Sequence, residues 1–459
     1  MAILAVTALA AGLRFYHLST PPTYVFDEVY YAKDACYDAG FPFRECKLKA
    51  PGEQTFTVHP PLGRWIMAGG VAAYGNNPFG WRVTSAIAGT LSVLLLSLLA
   101  RKLFASTAWA AVAGLLLATE SLHFVQSRIA MIDIFVTMFV VGGFLCLVLD
   151  REWIERRTPA LQPAGQGVDS ELLDLPPDRP PSPIFRPWRL AAGLAFGMGA
   201  ASKWSGIPPL LVAIVLSLAW ERSRRGRLGL ERPLMEAVRD ESFGIFWFLV
   251  MLPIGVYMAS YANWFWANGV DLGGWWDIQR GMASFSLDLR AKHPYASRAW
   301  TWLVMERPVA YYYRCIGQPE RCLPSEILAI GNPVIFWGSV LALPYTLVAG
   351  VRRRDWRAAL IVMAFAIQYF LWFLPARTTF FFYMAPMTPF MVLALVYVLR
   401  DTRHLTTRLT DRWRWEIPPV SAIVVLLSVA LFFFFYPVLT GQAISHSAWQ
   451  MRMWFRSWI

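Results

Sequence analysis

The chain has 459 residues, 56% of them hydrophobic and only 16% charged, with a net charge of +12. Soluble domains carry about 25% charged residues, so this composition excludes an ordinary soluble protein and points to repeated apolar spans. A closed β-barrel is excluded because it would show roughly ten-residue alternating segments. The basic excess sits in short loops, which reads as an orientation signal and not as nucleic-acid binding.

The first apolar stretch, 1–13, ends at Arg14 and reads as the outer end of a helix that begins before residue 1. A polar loop with amphipathic pieces, 14–80, follows. Helices are predicted over about 81–100, 108–122 and 131–149. The segment 150–188 contains LDLPPDRPPSP, has no apolar period, and is expected to be a disordered connector. Helices return over about 189–201, 207–220 and 243–262. A second long loop, 263–331, carries Trp-rich and Cys-bearing pieces. The last helices are predicted over about 332–350, 356–375, 383–399 and 417–436, before an aromatic, amphipathic tail, 437–459, suited to a membrane interface. The expected fold class is an all-α polytopic membrane protein, one domain over 1–459 with about eleven crossings.

Arg and Lys are dense in 101–107, 150–188, 221–242, 351–356 and 400–416, which places these segments in the cytoplasm. The loops 14–80 and 263–331 and the tail then face outward. Cysteines agree with that orientation. Cys36 and Cys46 share the first outer loop and Cys315 and Cys322 the second, the pattern of disulfides in an oxidising compartment, with free thiols as the alternative. Only six His occur and no Cys-x-x-Cys, so no metal site is expected.

Ionisable groups at membrane level are costly and mark function. Those predicted near outer helix ends are Asp27, Glu28, Arg64, Arg82, Arg128, Asp133, Lys203 and Arg377, with His59 beside Arg64 in HPPLGRW. Such a basin suits glycosyl transfer from a lipid phosphate. The leaving phosphate is already a stable anion and needs cations to hold its growing charge. The accepting hydroxyl needs a base, which Asp27 or Glu28 would supply. Each residue also has a plainer reading. Arg64 can snorkel to headgroups, Arg128 can pair with Asp133, Arg82 can pair with Glu28 or Asp27, Lys203 can meet a headgroup, and Arg377 can cap a helix. The acidic pair itself can be a solvated helix start.

Five segments in order, FDEVYYAKD (26–34), HPPLGRW (59–65), SRIAMID (127–133), ASKWSG (201–206) and RTTFFFYMAP (377–386), resemble the protein O-mannosyltransferase family, in its shorter actinobacterial branch. The resemblance implies a GT-C type membrane glycosyltransferase of about eleven helices, without a metal cofactor. It implies polyprenyl-phosphate-mannose as donor, Ser or Thr of exported polypeptides as acceptor, inversion at the sugar carbon, and a site on the outer face of the plasma membrane, beside the secretion translocon. The family's catalytic acids fall on Asp27, as general base, and Glu28, which positions the acceptor or the loop. The chain departs from eukaryotic relatives: 263–331 is too short for their β-trefoil insertion, and Arg64 stands where they have Lys. Two other readings share the basin: a GT-C transferase using another polyprenyl-phosphate sugar on lipid or glycan, and a lipid-sugar flippase. A transporter should carry its charges near the midplane in repeated halves, whereas these lie at helix ends.

Overall fold

The computed structural model describes residues 1–50, 58–157, 185–288, 290, 292–318, 322–374, 377–409 and 417–459. Each predicted span has its helix. In chain order these are α1 (Ala2–Phe15), α2 (Glu28–Asp38), α3 (Leu62–Tyr74), α4 (Pro78–Phe104), α5 (Thr107–Ala118), α6 (Ser121–Gln126), α7 (Asp133–Glu155), α8 (Pro187–Ser202) and α9 (Pro208–Arg227). Then come α10 (Pro233–Phe246), α11 (Leu252–Ala259), α12 (Ala262–Asn268), α13 (Leu272–Asp288), α14 (Pro333–Arg353), α15 (Trp356–Phe370), α16 (Thr388–Leu409), α17 (Pro419–Thr440) and α18 (His446–Gln450). Among the described residues, eight helical segments are long and apolar enough to cross a membrane, and α1 and α5 are shorter apolar helices.

Three boundaries differ from expectation for local reasons. The helix predicted over 108–122 stops at Ala118 and restarts at Ser121, because the Glu120 side chain accepts the N–H groups of Leu122 and His123 and caps a new turn. The helix predicted over 243–262 is the outer part of a longer rod. Between α10 and α11 it passes through a π-helical turn at Trp247–Met251. Pro253 follows and lacks the N–H that would bond one turn back. The Pro-rich connector keeps only its ends in view: α7 runs on to Glu155, α8 begins at Pro187, and 158–184 lie outside the described residues.

The second long loop is not wholly helical, as an all-α reading had it. Strands β1 (Val309–Ile316) and β2 (Leu323–Ala329) pair antiparallel. The signal was present in VAYYYRCI, whose β-branched and aromatic residues fit a half-buried pleated surface. The tail docks on this hairpin. Gly441 and Ile444 donate to the carbonyls of Glu326 and Pro324, each at 3.0 Å, and Trp458 Nε1 donates to Met305 O at 2.7 Å. Both cysteine pairs are bonded, with Cα separations of 5.6 Å for Cys36–Cys46 and 5.4 Å for Cys315–Cys322. The first ties α2 to the chain that follows it.

The centre of the bundle is α7, packed between α4 and α8. Small residues let these rods approach. A Cβ on Gly143 would stand 2.7 Å from the Phe196 ring, and one on Gly193 would stand 1.8 Å from the Phe248 carbonyl oxygen. At the end of α7 away from Asp133, roughly 25 Å along the helix, Arg186 pairs with Asp150, Glu221 and Glu241 at 2.7–3.2 Å, and Arg189 joins Asp150 and Glu241. Part of the basic excess is therefore consumed in a buried network that locks α7, α8, α9 and α10 together. Replacing Gly193 by Val is expected to separate α8 from the π turn and to cost about 1–3 kcal/mol or more. Gly281→Ala, inside α13 and with nothing within 4 Å of its added Cβ, should leave thermal unfolding in detergent no lower, and raise it slightly through helix propensity.

Candidate active site

The acidic pair lies where the loop after α1 becomes α2. Adjacent in sequence, the two acids meet opposite surroundings. Glu28 is fully buried. It accepts from Arg82 Nε at 2.7 Å, Arg82 Nη2 at 2.8 Å, Val25 N at 2.8 Å and Ala130 N at 2.9 Å. Arg82 gives its other hydrogens to the carbonyls of Leu18, Pro21 and Thr23 at 3.2, 2.9 and 2.9 Å. Of the alternatives open in the sequence, Arg82 takes the pairing with Glu28. None of its five N–H groups remains for a phosphate.

Asp27 is half-buried, sits at the N-cap of α2 and makes no capping bond. Its carboxylate has no hydrogen-bond or ion-pair partner among the described residues. Loss of hydration raises its pKa from 3.8 to about 7, opposed by the nearby charge of Lys203 and reinforced by that of Asp133. What aims Asp27 is the residue before it. Phe26 has φ +49°, a left-handed conformation that costs a bulky residue roughly 1–2 kcal/mol. The ring is held in place by Tyr311 of β1, stacked at 4.4 Å, and by Phe382 at 5.4 Å. The unpredicted hairpin thus helps to hold the loop.

The cations sort into two groups. Lys203 ends α8 in an extended conformation (φ −162°, ψ 142°) that throws its side chain sideways. It bonds Asp133 Oδ1 at 2.8 Å and lies 4.9 Å from the Tyr383 ring centroid. Asp133 begins α7, and its buried Oδ2 has no partner. Arg377 reaches Tyr383 Oη at 3.1 Å and Ser286 O at 3.4 Å. Lys203, Arg377, His59 and Tyr383 line one cavity of about 170 Å³, together with Ser205, Gln368 and an apolar flank of Pro208, Leu371, Trp372 and Met387. One water needs only about 10–15 Å³ by the same kind of measure, so the space suits a larger group. Burial, then Lys203, Arg377 and Arg64, hold the His59 pKa well below its usual value, which keeps the ring neutral.

The second group supports the walls. Arg128 donates to the carbonyls of Leu13, Arg14, Tyr16 and His17 at 2.7–3.2 Å and so closes the C-terminal end of α1. It does not pair with Asp133. Arg64 is buried and bonded to Asp34 at 3.3 Å, with its Nε left without a partner. The sequence reading missed Tyr383, Tyr311, Ser205 and Gln368. Ser205 and Tyr383 lay inside two of the quoted motifs without being singled out, and Gln368 left its trace as a polar residue inside an apolar span.

Comparison with known proteins fits this geometry. The Pmt1–Pmt2 protein O-mannosyltransferase complex of S. cerevisiae, solved with its sugar donor, superposes with a TM-score of 0.75 at 14% identity, over 100% of this chain and 92% of that one. ArnT of Cupriavidus metallidurans, solved with undecaprenyl phosphate, gives 0.55 at 15% identity, over 95% of this chain and 70% of that one. The architecture is that of the GT-C membrane glycosyltransferases. Residues 4–160 match the family described as dolichyl-phosphate-mannose-protein mannosyltransferase, and residues 272–458 the C-terminal four TMM region of protein-O-mannosyltransferase. A polyprenol-phosphate-mannose–protein mannosyltransferase of Mycobacterium tuberculosis is 32% identical over 99% of this chain and 90% of its own length. A namesake from Corynebacterium glutamicum is 27% identical over 100% of this chain and 92% of its own. The chain belongs to the protein O-mannosyltransferase family, and is a multi-pass membrane glycosyltransferase.

The two acids should separate in stability measurements. Glu28→Ala leaves Arg82 buried without its counter-charge and is expected to cost about 3–5 kcal/mol. Asp27→Asn should stabilise the fold at neutral pH, because burial disfavours the ionised carboxylate. Folding raises the Asp27 pKa, so the folded state holds the proton more tightly than the unfolded chain. Wild-type stability relative to Asp27→Asn should therefore fall as pH rises from about 4 to about 7. Unfolding followed across that range in detergent checks both.

Proposed function

We propose that the protein moves mannose from a polyprenyl-phosphate-mannose donor to Ser or Thr hydroxyls of exported polypeptides, on the extracytoplasmic side of the plasma membrane. The observation that carries this reading is a partnerless carboxyl, Asp27, close to a cavity with one cationic wall and one apolar wall. The relatives' printed donor, a polyprenol-phosphate-mannose, has the matching parts: an anion, a sugar and a greasy chain.

Chemistry assigns the roles. The acceptor hydroxyl oxygen attacks the anomeric carbon while the bond from that carbon to the phosphate oxygen breaks. The electron pair stays on the phosphate, and the hydroxyl proton passes to Asp27. A single displacement inverts the anomeric carbon. Lys203 and Arg377 hold the phosphate, whose charge grows as the bond breaks. Neutral His59 can accept or donate a hydrogen bond at the same wall. The apolar flank receives the first units of the lipid. Glu28 positions the loop, Arg82 and Arg128 shape it, and Arg64 braces Asp34.

Orientation is argued from charge. The described ends of the Arg-rich segments, where Lys102 pairs with Glu152 and Arg400 lies over Phe104, and the ion network occupy the end of the bundle away from Asp133, which by the positive-inside rule is cytoplasmic. Disulfides in both long loops agree with an oxidising exterior. Acceptors would arrive there unfolded, as they do beside the secretion translocon.

Purified protein with labelled polyprenyl-phosphate-mannose and a Ser/Thr peptide should yield labelled peptide. A panel of other polyprenyl-phosphate sugars and of lipid or glycan acceptors separates this from a related transferase, and an intact donor after incubation would mean transport. Asp27→Asn should lose about a hundredfold or more of transfer and keep donor binding; near-normal transfer removes Asp27 from the base role. Because the base must be ionised, acceptor kcat/KM should rise with pH through about 7 and then level off.

A further inference from the structure

We infer that Gln368 is the residue that recognises the donor's sugar, by accepting a hydrogen bond from one of its hydroxyls. The inference rests on reading the cavity as the donor site. Gln368 stands in the last turns of α15, is 4% exposed, and lines the cavity. Its Nε2 donates to Ala364 O at 2.7 Å. That contact settles which way the amide points, since the reversed amide would set two acceptor oxygens 2.7 Å apart. Oε1 is therefore the atom left over, and it is buried without a partner.

An unpartnered buried acceptor is costly, so it calls for a donor hydrogen from whatever fills the space. The phosphodiester of the loaded donor cannot supply one: it carries no O–H at neutral pH, so its oxygens only accept and would be repelled. The prenyl chain has no N–H or O–H. Lys203 Nζ is bonded to Asp133, and Arg377 Nη2 to Tyr383. Of the donor's three parts, only the sugar carries O–H groups. Ser205 Oγ also lines the cavity without a partner. A hydroxyl can donate or accept, so Ser205 fits sugar or phosphate equally and discriminates nothing. Among the described residues lining the cavity, Gln368 is the one neutral side chain whose partnerless atom fits sugar and excludes phosphodiester. The cations then grip what every polyprenyl phosphate shares, and Gln368 tells the loaded lipid from the spent one.

The test uses the full chain in detergent and two ligands, polyprenyl-phosphate-mannose and sugar-free polyprenyl phosphate. Gln368→Met keeps the length and shape of the side chain and removes both polar atoms. The variant should bind the mannosylated lipid about tenfold more weakly, the loss of roughly one hydrogen bond, while its Kd for the sugar-free lipid stays within about twofold. Equal weakening of both ligands, or of neither, overturns the inference. A series of mannosyl lipids each lacking one hydroxyl gives a second check. One deoxy donor should bind wild type about tenfold more weakly and cost the variant nothing further; if every deoxy donor penalises both proteins alike, Gln368 reads no hydroxyl. A wild-type protein that prefers a lipid phosphate bearing another sugar overturns the mannose reading alone, and the Met variant's loss of preference for that lipid would still support the inference.

Discussion

A buried ion pair between Glu28 and Arg82 organises the reactive end of the molecule. Arg82 comes from α4 and Glu28 from the start of α2; the carbonyls that Arg82 gathers come from the loop after α1, and an N–H that donates to Glu28 comes from the turn before α7. Taking two charges out of water is expensive and is repaid only when every remaining lone pair and proton is satisfied. Here they are. Three stretches distant in sequence are held at one point, and the neighbouring residue, Asp27, is left without a hydrogen-bond partner among the described residues and with a defined backbone.

The same arrangement divides the labour between two adjacent carboxylates. One receives two guanidinium bonds and two backbone N–H bonds. The other receives none and sits among groups that exclude water. Environments that push two acids apart in this way suit them to different tasks, and in the proposed mechanism Glu28 takes the structural one and Asp27 the chemical one. Phe26 supplies the mechanical link. Its left-handed backbone would relax if the ring were free, and Tyr311 and Phe382 prevent that.

The cations follow an analogous logic. Arg82 and Arg128 have their hydrogens absorbed by carbonyls, so they act as internal braces. Lys203 and Arg377 each keep contact with the cavity while one partner holds them in place. In a space walled by Trp372, Leu371 and Met387, such charges are screened less than in water. A phosphate entering the cavity would meet fixed donors that need no rearrangement as its charge develops.

Much of the architecture was legible in the chain itself. Apolar runs near 20 residues can only be satisfied in lipid as helices, so the spans followed from composition and periodicity. The cysteine pairs and the five motifs also carried their meaning locally. The β1–β2 hairpin escaped because a short strand in a long loop has little periodicity, and the pairing that makes it a strand lies across the turn. The assignment of roles escaped for a deeper reason. Arg64, Arg82, Arg128, Lys203 and Arg377 look alike as letters, since each is a cation near a helix end. Whether a cation is a brace or a ligand depends on which carbonyls and carboxylates reach it from segments as far as 115 residues away. The order of residues determined the spans, the motifs and the presence of two acids at one place. Only the tertiary structure decided which acid was neutralised, which was left partnerless, and which polar atoms faced the cavity, because hydrogen-bond satisfaction is a property of three-dimensional neighbours.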